Sequence, residues 1–327
     1  MSITATGIVV DRTGGPDVLA VQDITLPAPA AGEALIRHEM IGVNFTDVYQ
    51  RRGFDPVPVP FVPGMEAAGV VEAVGSDVTA VKRGDRVAYA RWRGSYAEAA
   101  VVPVGSLIPL PDDVSFEQGA AFGMQGVTAQ YLITEFCLPT RKDTVLVHAA
   151  AGGVGLMLVQ FAKHFGARVI GTVSSATKAE AAREAGADEV IDYTRRDFAD
   201  EVLHLTDGHG VDLIVDGVGK ATFDGDLRAV ATRGNIVVFG AASGPAEPFG
   251  PGDLISRSRT VSGGDVADGI GTHEELLARA GDVLDGIEQG WLTSRIHTTL
   301  PLTEAAEAHR VLESRESIGK ILLSPGA

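Results

Sequence analysis

The stretch 144-TVLVHAAAGGVGLMLVQFAKHFGARVIGTVSSATK-178 decides the fold. It opens on a continuous apolar run at 144–150 and breaks at Gly152, Gly153 and Gly155. It then resumes as a helix-patterned segment at 155–165 and ends in a second apolar run at 167–173. An apolar run without polar alternation fits a strand buried on both faces. Two such runs flanking a helix of about ten residues form a βαβ unit. The rhythm continues downstream, with helices expected over 177–185, 197–205 and 223–231 and strands over 189–193, 211–218 and 235–240. Such alternation predicts a Rossmann-type, doubly wound parallel sheet with helices on both faces. A helix at 273–289 closes this part of the chain.

Aligned on its last glycine, the pattern GxGxxG becomes Ala150-x-Gly152-x-x-Gly155, with alanine in place of the first glycine. The strand–turn–helix setting is the one a dinucleotide turn requires. Gly152 would admit a pyrophosphate close to the backbone, and Gly155 would let the helix approach the strand. The N–H groups of Gly153 and Val154 at the helix start would hold the anion. The competing reading is a turn that only packs a helix, and the repeated βα alternation favours cofactor binding over it. About 20 residues beyond such a turn, an NAD site places an acid on the ribose 2′-hydroxyl. Here Ser174 and Ser175 stand in that place, with Lys178 close behind. Hydroxyls and a lysine suit a 2′-phosphate, so the expected cofactor is NADPH. Tyr193, at the end of the third strand, is a further phenolic donor. A solvated helix lysine is the plain alternative for Lys178.

The first third has a different texture. Runs at 34–43, 67–74, 86–90 and 95–102 read as strands, and Gly and Pro punctuate the gaps. The segment 56-PVPVPFVPG-64 excludes a helix or a central strand. This spacing predicts a mostly antiparallel, barrel-like domain. Ser115 followed by Gln118 reads as a capping box that starts a helix. The last 40 or so residues hold a helix at 303–315 and a strand at 320–323, which could return to the first domain.

At 327 residues the chain exceeds the usual size of a single core, so two domains are expected. With 45% hydrophobic and 21% charged residues, wholesale disorder is excluded. Acids outnumber bases by 43 to 27, a net charge of -16, which disfavours nucleic acid and anionic membranes as partners. No apolar run reaches membrane-spanning length. The N-terminal MSITATGIVVDRTGG has neither a basic n-region nor a long h-region, so the expected setting is cytoplasmic. Cys137 is the single cysteine, which rules out an intrachain disulfide framework and any multi-cysteine zinc lobe.

The segments 41-IGVNFTDVYQRRG-53, 64-GMEAAGVVEAVGS-76, 84-GDRVAY-89, 148-HAAAGGVGLMLVQFAK-163, 186-GADEVIDY-193 and 313-ESRESIGKILL-323 together resemble the medium-chain dehydrogenase/reductase superfamily. Within it, the resemblance is to the zinc-free quinone oxidoreductases that include zeta-crystallin. It runs over essentially the whole chain. It implies a GroES-like catalytic domain at 1–125 and 292–327, a Rossmann NADP(H)-binding domain at 126–291, and the cofactor in the cleft between them. It also implies a homodimer or homotetramer paired through an edge of the nucleotide-domain sheet, for which 260–263 is the candidate.

Zinc members of the superfamily carry a cysteine at or beside the position of Asn44 and a His-Glu pair at Met65-Glu66. Neither Asn44 nor Met65 replaces thiolate or imidazole as a zinc ligand, so no metal is expected. Glu66 is then left over to satisfy a loop hydrogen bond, and His148 and His164 read as packing or surface residues. Without metal, hydride transfer needs an acceptor already electrophilic, a quinone or conjugated enone, with oriented donors for its developing charge.

The resemblance places Asn44 by the nicotinamide and its ribose, and Phe239 and Gly240 along the nicotinamide arm. It puts Gln125 and Thr128 beside the cofactor, Val218 and Gly219 on the adenosine side, and Arg315 near the 2′-phosphate. Tyr49 is a candidate acid and Gln125 a candidate catalytic neighbour. Each has a structural alternative: helix caps for Asn44 and Thr128, core packing for Phe239 and Tyr49. Relatives often carry a tyrosine where this chain has Asp55, which alters the charge expected at the substrate. The implied activity is NADPH-dependent reduction of a quinone or conjugated carbonyl. The alternatives are reduction of an enoyl thioester or enone double bond on the same fold, and a non-catalytic, zeta-crystallin-like binding role.

Overall fold

A computed structural model describes residues 3–326 and divides the chain into two compact units. The first comprises the chain up to Gly126, Ile270–Ala280 and the segment from Ser294 onward, and the second comprises Val127–Gly269 and Gly281–Thr293.

In the first unit, the strands Ile3–Val10 and Leu19–Leu26 form an antiparallel pair. Among the described residues, a second sheet of seven strands is built around the long strand Glu33–Val43. Glu66–Val74 pairs antiparallel with one side of it, and Ala99–Pro103 and the C-terminal strand Lys320–Ser324 also pair with it. The C-terminal segment thus returns to this unit, with Ile321 opposite Val43. The core gathers alternate aliphatic side chains, Ile8, Ile36, Val71, Val87, Leu107 and Leu323 among them. This inward alternation leaves polar residues on the solvent side of the strands.

One local expectation needs correction, and two elements are added to those expected. The strand expected at 95–102 begins only at Ala99, because Ser95 and Tyr96 hydrogen-bond to the Pro63–Gly64 turn instead of a ladder. The segment 44–53 is a helix, Phe45–Arg52, stopped by Gly53 in the left-handed region at φ 82°. An additional strand, Ile296–Pro301, pairs parallel with Lys320–Ser324. The expected capping box is present: Gln118 N–H donates to Ser115 Oγ at 3.2 Å, and Ser115 N–H donates to Gln118 Oε1 at 2.9 Å.

The second unit carries, among the described residues, a six-stranded parallel sheet. From one edge to the other its strands are Glu189–Asp192, Arg168–Val173, Thr144–Val147, Val211–Asp216, Val230–Val238 and Thr260–Gly263. The chain winds outward from Thr144–Val147 to one edge, then returns to start the other half at Val211–Asp216. Those two neighbouring strands therefore flank the topological switch point, where ligands of doubly wound sheets bind at the strands' C-terminal ends. The first strand stops at Val147, earlier than expected, since residues 148–152 already form the turn. The strand expected from 235 begins at Val230.

Candidate functional site

At the switch point, the helix Gly153–His164 starts directly after the first strand, with Gly152 as its N-cap at φ -75°, ψ 170°. Gly152 N–H donates to Ala149 O at 2.8 Å, and Ala149 takes a positive φ of 48°. A Cβ at Gly155 would lie 2.2 Å from Ala149 O, so only glycine fits there. The alanine that replaces the first glycine is accommodated by the neighbouring strand. A Cβ at Gly171 would lie 2.8 Å from the Ala150 Cβ, so the absence of a side chain at position 171 leaves the room that the Ala150 methyl fills. The N–H groups of Gly153 and Val154 head the helix without an intrahelical acceptor, where an anion is stabilised by them and by the helix dipole.

The turn rests on a buried ionic cluster that sequence reading missed. His148 was expected to be ordinary packing or surface. Instead it is enclosed, with Nε2 2.7 Å from Asp226 Oδ1 and Nδ1 2.8 Å from Thr172 Oγ1. Burial works against its imidazolium, but the charge and hydrogen bond of Asp226, together with the charge of Asp216, raise its pKa above the ordinary value. Burial raises the Asp226 carboxyl to about 6, against the pull of His148. Asp216 ends its strand by accepting Val218 N–H at 2.6 Å, Gly219 N–H at 3.2 Å and the Thr222 hydroxyl at 2.8 Å. The loop 217–222 is thereby clamped to the sheet. Gly219 sits at φ 82°, and the Phe239 ring covers Gly217 so closely that a Cβ there would be 2.6 Å from it. Gly240 fits against Gly217 O in the same contact. Phe239 is half-buried, so it is neither pure core nor free surface.

Beyond the second strand, Ser174 and Ser175 are half-buried, and the Ser175 hydroxyl caps the helix Ala176–Glu184 by accepting Lys178 N–H at 3.3 Å. One of the two expected hydroxyls is thus already engaged as a cap. Lys178 follows on the first turn, and Tyr193 is 45% exposed just past Glu189–Asp192. Thr128 is buried on the helix Gln125–Glu135, which begins at the half-buried Gln125. Arg315 is exposed, at φ 60°, and belongs to the first unit.

In the first unit, Asn44 is the N-cap of the helix Phe45–Arg52, as the structural alternative had it, and Asp47 closes that cap by accepting Asn44 N–H at 2.8 Å. The Asn44 side chain has another task. Its Nδ2 donates to Glu66 Oε2 at 3.0 Å, and its Oδ1 accepts from Lys320 Nζ at 2.8 Å. Glu66 is no leftover: its other oxygen accepts Met124 N–H at 2.6 Å, and Lys320 Nζ pairs with Oε2 at 2.5 Å, both residues being 1% exposed or less. The expected loop hydrogen bond exists, but the carboxylate is chiefly half of a buried ion pair. The only sequence signal for this was a lysine at the head of an otherwise apolar strand.

Asp47 continues the cluster. Its Oδ2 also accepts the Tyr96 hydroxyl at 3.1 Å, and Tyr96 Oη lies 3.0 Å from His309 Nε2. Arg51 Nη1 donates to His309 Nδ1 at 3.1 Å and pairs bidentately with Glu313. An arginine cannot accept, so His309 is the neutral tautomer with its proton on Nε2. Burial, and then the charge of Arg51, hold its pKa down to about 3. Burial lifts Asp47 to about 7 against its bond from Asn44 N–H and the charge of Lys320, and its Oδ1 is buried without a hydrogen-bond partner. Tyr49 lies on the same helix, half-buried and tilted against Phe45 at 6.0 Å between ring centroids. Asp55 accepts from Gln50 Nε2 at 3.0 Å.

Comparison with known proteins names the assembly of these parts. Residues 30–112 match the family model for the alcohol dehydrogenase GroES-like domain, and 153–280 that for the zinc-binding dehydrogenases. A quinone oxidoreductase of Pseudomonas aeruginosa is 44% identical over 95% of this chain and 97% of its own. A 2-haloacrylate reductase of a Burkholderia species is 37% identical over 98% of each. The crystal structure of the Escherichia coli quinone oxidoreductase complexed with NADPH superposes with a TM-score of 0.95, at 38% identity, covering 98% of this chain and 100% of that one.

The family model's description names zinc, and the residues here do not suit it. Asn44 and Met65 offer an amide and a thioether, and the carboxylate of Glu66 beside them already holds an ammonium. Among the described residues, no group of three or more His, Cys, Asp or Glu could hold a metal ion. With full-length similarity at these identities, the chain belongs to the quinone oxidoreductase family of the medium-chain dehydrogenase/reductase superfamily.

Proposed function

We propose that the protein is an NADPH-dependent quinone oxidoreductase that transfers a hydride from the nicotinamide to a quinone or a conjugated carbonyl without metal. One observation carries the cofactor half of this reading. The helix start at Gly153–Val154 offers unengaged N–H groups, and the segment ending the second strand holds Ser174, Ser175 and Lys178 where an NAD site would hold an acid.

When bound, NADPH supplies the hydride. The chain's own part is to bind, orient and receive charge. Gly152 allows the pyrophosphate to approach, and Gly153 and Val154 hold it. Ser174, Lys178 and Tyr193 would hold the 2′-phosphate, with Ser175 fixing the helix that carries Lys178, and the family resemblance alone adds Arg315. Val218 and Gly219 border the adenosine, and their N–H groups, spent on Asp216, shape that loop rather than grip the ligand. Phe239, Gly240, Thr128 and Gln125 line the nicotinamide arm. The family resemblance assigns Asn44 to the reacting end, with Tyr49 a further candidate there. The one proton that completes the reduction comes from solvent.

Reduction of an activated double bond is the second reading, favoured by the similarity to a 2-haloacrylate reductase over nearly the whole chain. A side-by-side assay of NADPH consumption with quinones, enones, haloacrylates and enoyl thioesters decides between them: hydroquinone formation supports the first reading, a saturated product the second. An unchanged melting temperature in excess NADPH overturns both. The protein is further read as cytoplasmic and as a homodimer or homotetramer, paired through the edge strand Thr260–Gly263. That strand ends the sheet, and Ile255 just before it is 81% exposed. Among the described residues, no helix is long and apolar enough to cross a membrane.

A further inference from the structure

We propose that Lys320 is a positioning residue for the reaction: its buried ammonium fixes the Asn44 amide as an oriented donor for the charge that develops on the acceptor. This rests on the placement of Asn44 at the reacting end.

An ammonium taken out of water costs several kcal/mol unless it is fully partnered. Lys320 is 1% exposed, and Glu66 alone would neutralise it. Yet a second hydrogen bond runs from Nζ to Asn44 Oδ1, 2.8 Å away. The strand register brings the two residues together: Ile321 pairs with Val43 in an antiparallel ladder, so the preceding Lys320 falls level with Asn44.

The amide is thereby held between a cation and an anion. An ammonium cannot accept and a carboxylate cannot donate, so only one orientation of the amide satisfies both: Oδ1 toward Lys320 and Nδ2 toward Glu66. A flip would set N–H groups against Nζ. Nδ2 has two hydrogens. One goes to Glu66 Oε2 at 3.0 Å, while the contact to Gly42 O, at 3.5 Å, lies at the limit of a hydrogen bond. The second N–H is therefore available for an acceptor oxygen. Donation from Nζ into Oδ1 polarises the amide and strengthens that N–H as a donor. A preorganised donor of this kind acts in the transition state, where the oxygen gains charge, more than on the neutral substrate. Glu66 and Lys320 cancel in charge, so the pair orients the amide without adding a net charge to the site.

The test uses the full-length enzyme and five variants: Asn44→Ala, the double variant Glu66→Gln/Lys320→Met, the triple variant that combines them, and the single variants Lys320→Arg and Lys320→Gln. The double variant removes both charges together and leaves no unpaired ion in the core. NADPH affinity is read by fluorescence titration, folding by thermal melt, and kcat and KM with a quinone. The expected result is an NADPH Kd within about twofold of wild type in the double variant, and a kcat lower by about tenfold or more in both the double variant and Asn44→Ala. Adding Asn44→Ala to the double variant should cost little more, because the two changes remove one function. Lys320→Arg should retain more of kcat than Lys320→Gln, since it keeps a cation with donors. A folded double variant with wild-type kcat, beside an impaired Asn44→Ala, overturns the role of Lys320 and leaves the functional reading standing. Equal kcat in Lys320→Arg and Lys320→Gln also overturns it, and applies even if the double variant does not fold. Wild-type turnover by Asn44→Ala instead removes Asn44 from the reacting end, and this inference with it.

Discussion

Asp47 is a carboxyl closed off from water, and its chemistry follows from that. Burial raises its pKa to about 7, from the ordinary value of 3.8 that it regains on unfolding. The folded protein therefore binds this proton more tightly than the unfolded chain. The stability this contributes is complete below about pH 4 and is lost as pH rises through about 7. Asp47→Asn keeps an acceptor for Asn44 N–H and Tyr96 and cannot ionise. Its melting temperature relative to wild type should be higher at pH 8 than at pH 5, and a difference that is flat across that range would contradict the assignment. Lys178 makes a different kind of contribution, to cofactor choice. A lysine beside a phosphate is a charge-assisted contact, so Lys178→Ala should raise KM for NADPH by about 10- to 100-fold and leave KM for NADH nearly unchanged. Equal effects on the two cofactors would place the 2′-phosphate elsewhere.

At the level of elements, the glycine turn depends on backbone clearance. Gly155→Ala would push a Cβ to 2.2 Å from Ala149 O, an atom the strand and turn hold in place. It should destabilise the protein by about 1–3 kcal/mol and abolish the NADPH-induced rise in melting temperature. Ala150 and Gly171 are coupled more subtly. Gly171→Ala alone should be destabilising through its 2.8 Å approach to the Ala150 Cβ. The pair Gly171→Ala/Ala150→Gly should recover most of the loss, because one methyl group fits between the strands and two do not. Additive losses in a thermal-melt cycle would refute the exchange. The alanine in the motif was legible as a departure from GxGxxG. Its compensation was not, since Gly171 lies 21 residues further on and meets it only where the turn after the first strand packs against the neighbouring strand.

For the molecule as a whole, the edge strand offers the clearest test. Thr260–Gly263 leaves one side of the sheet unpaired, and open edges invite pairing with another copy. Val261→Lys together with Ile255→Asp should shift the sedimentation coefficient to that of a monomer, with the NADPH-induced melting shift retained. A sedimentation coefficient unchanged from wild type would overturn the proposed pairing through this edge. The doubly wound parallel sheet and the glycine turn were carried by local pattern, apolar runs of strand length, helices between them and glycines at fixed offsets, while the return of the C-terminus came with the family resemblance. Such local patterns depend on interactions between near neighbours along the chain and on backbone geometry, which residue types report directly. The strand Ile296–Pro301 escaped notice because its apolar periodicity is weak and tertiary packing sustains it, and the helix Phe45–Arg52 was legible only through Asn44 as a candidate cap. The buried polar clusters escaped for another reason. Lys320 meets Glu66 from 254 residues away, Arg51 meets Glu313 from 262, and His148 meets Asp226 from 78. In sequence each is an ordinary charged residue. What the sequence alone determined was the scaffold and the cofactor turn. Which charges are buried, what partners them and which way the Asn44 amide faces were decided only by tertiary structure, because taking a charge out of water is tolerated only when a distant strand brings its partner within hydrogen-bond reach.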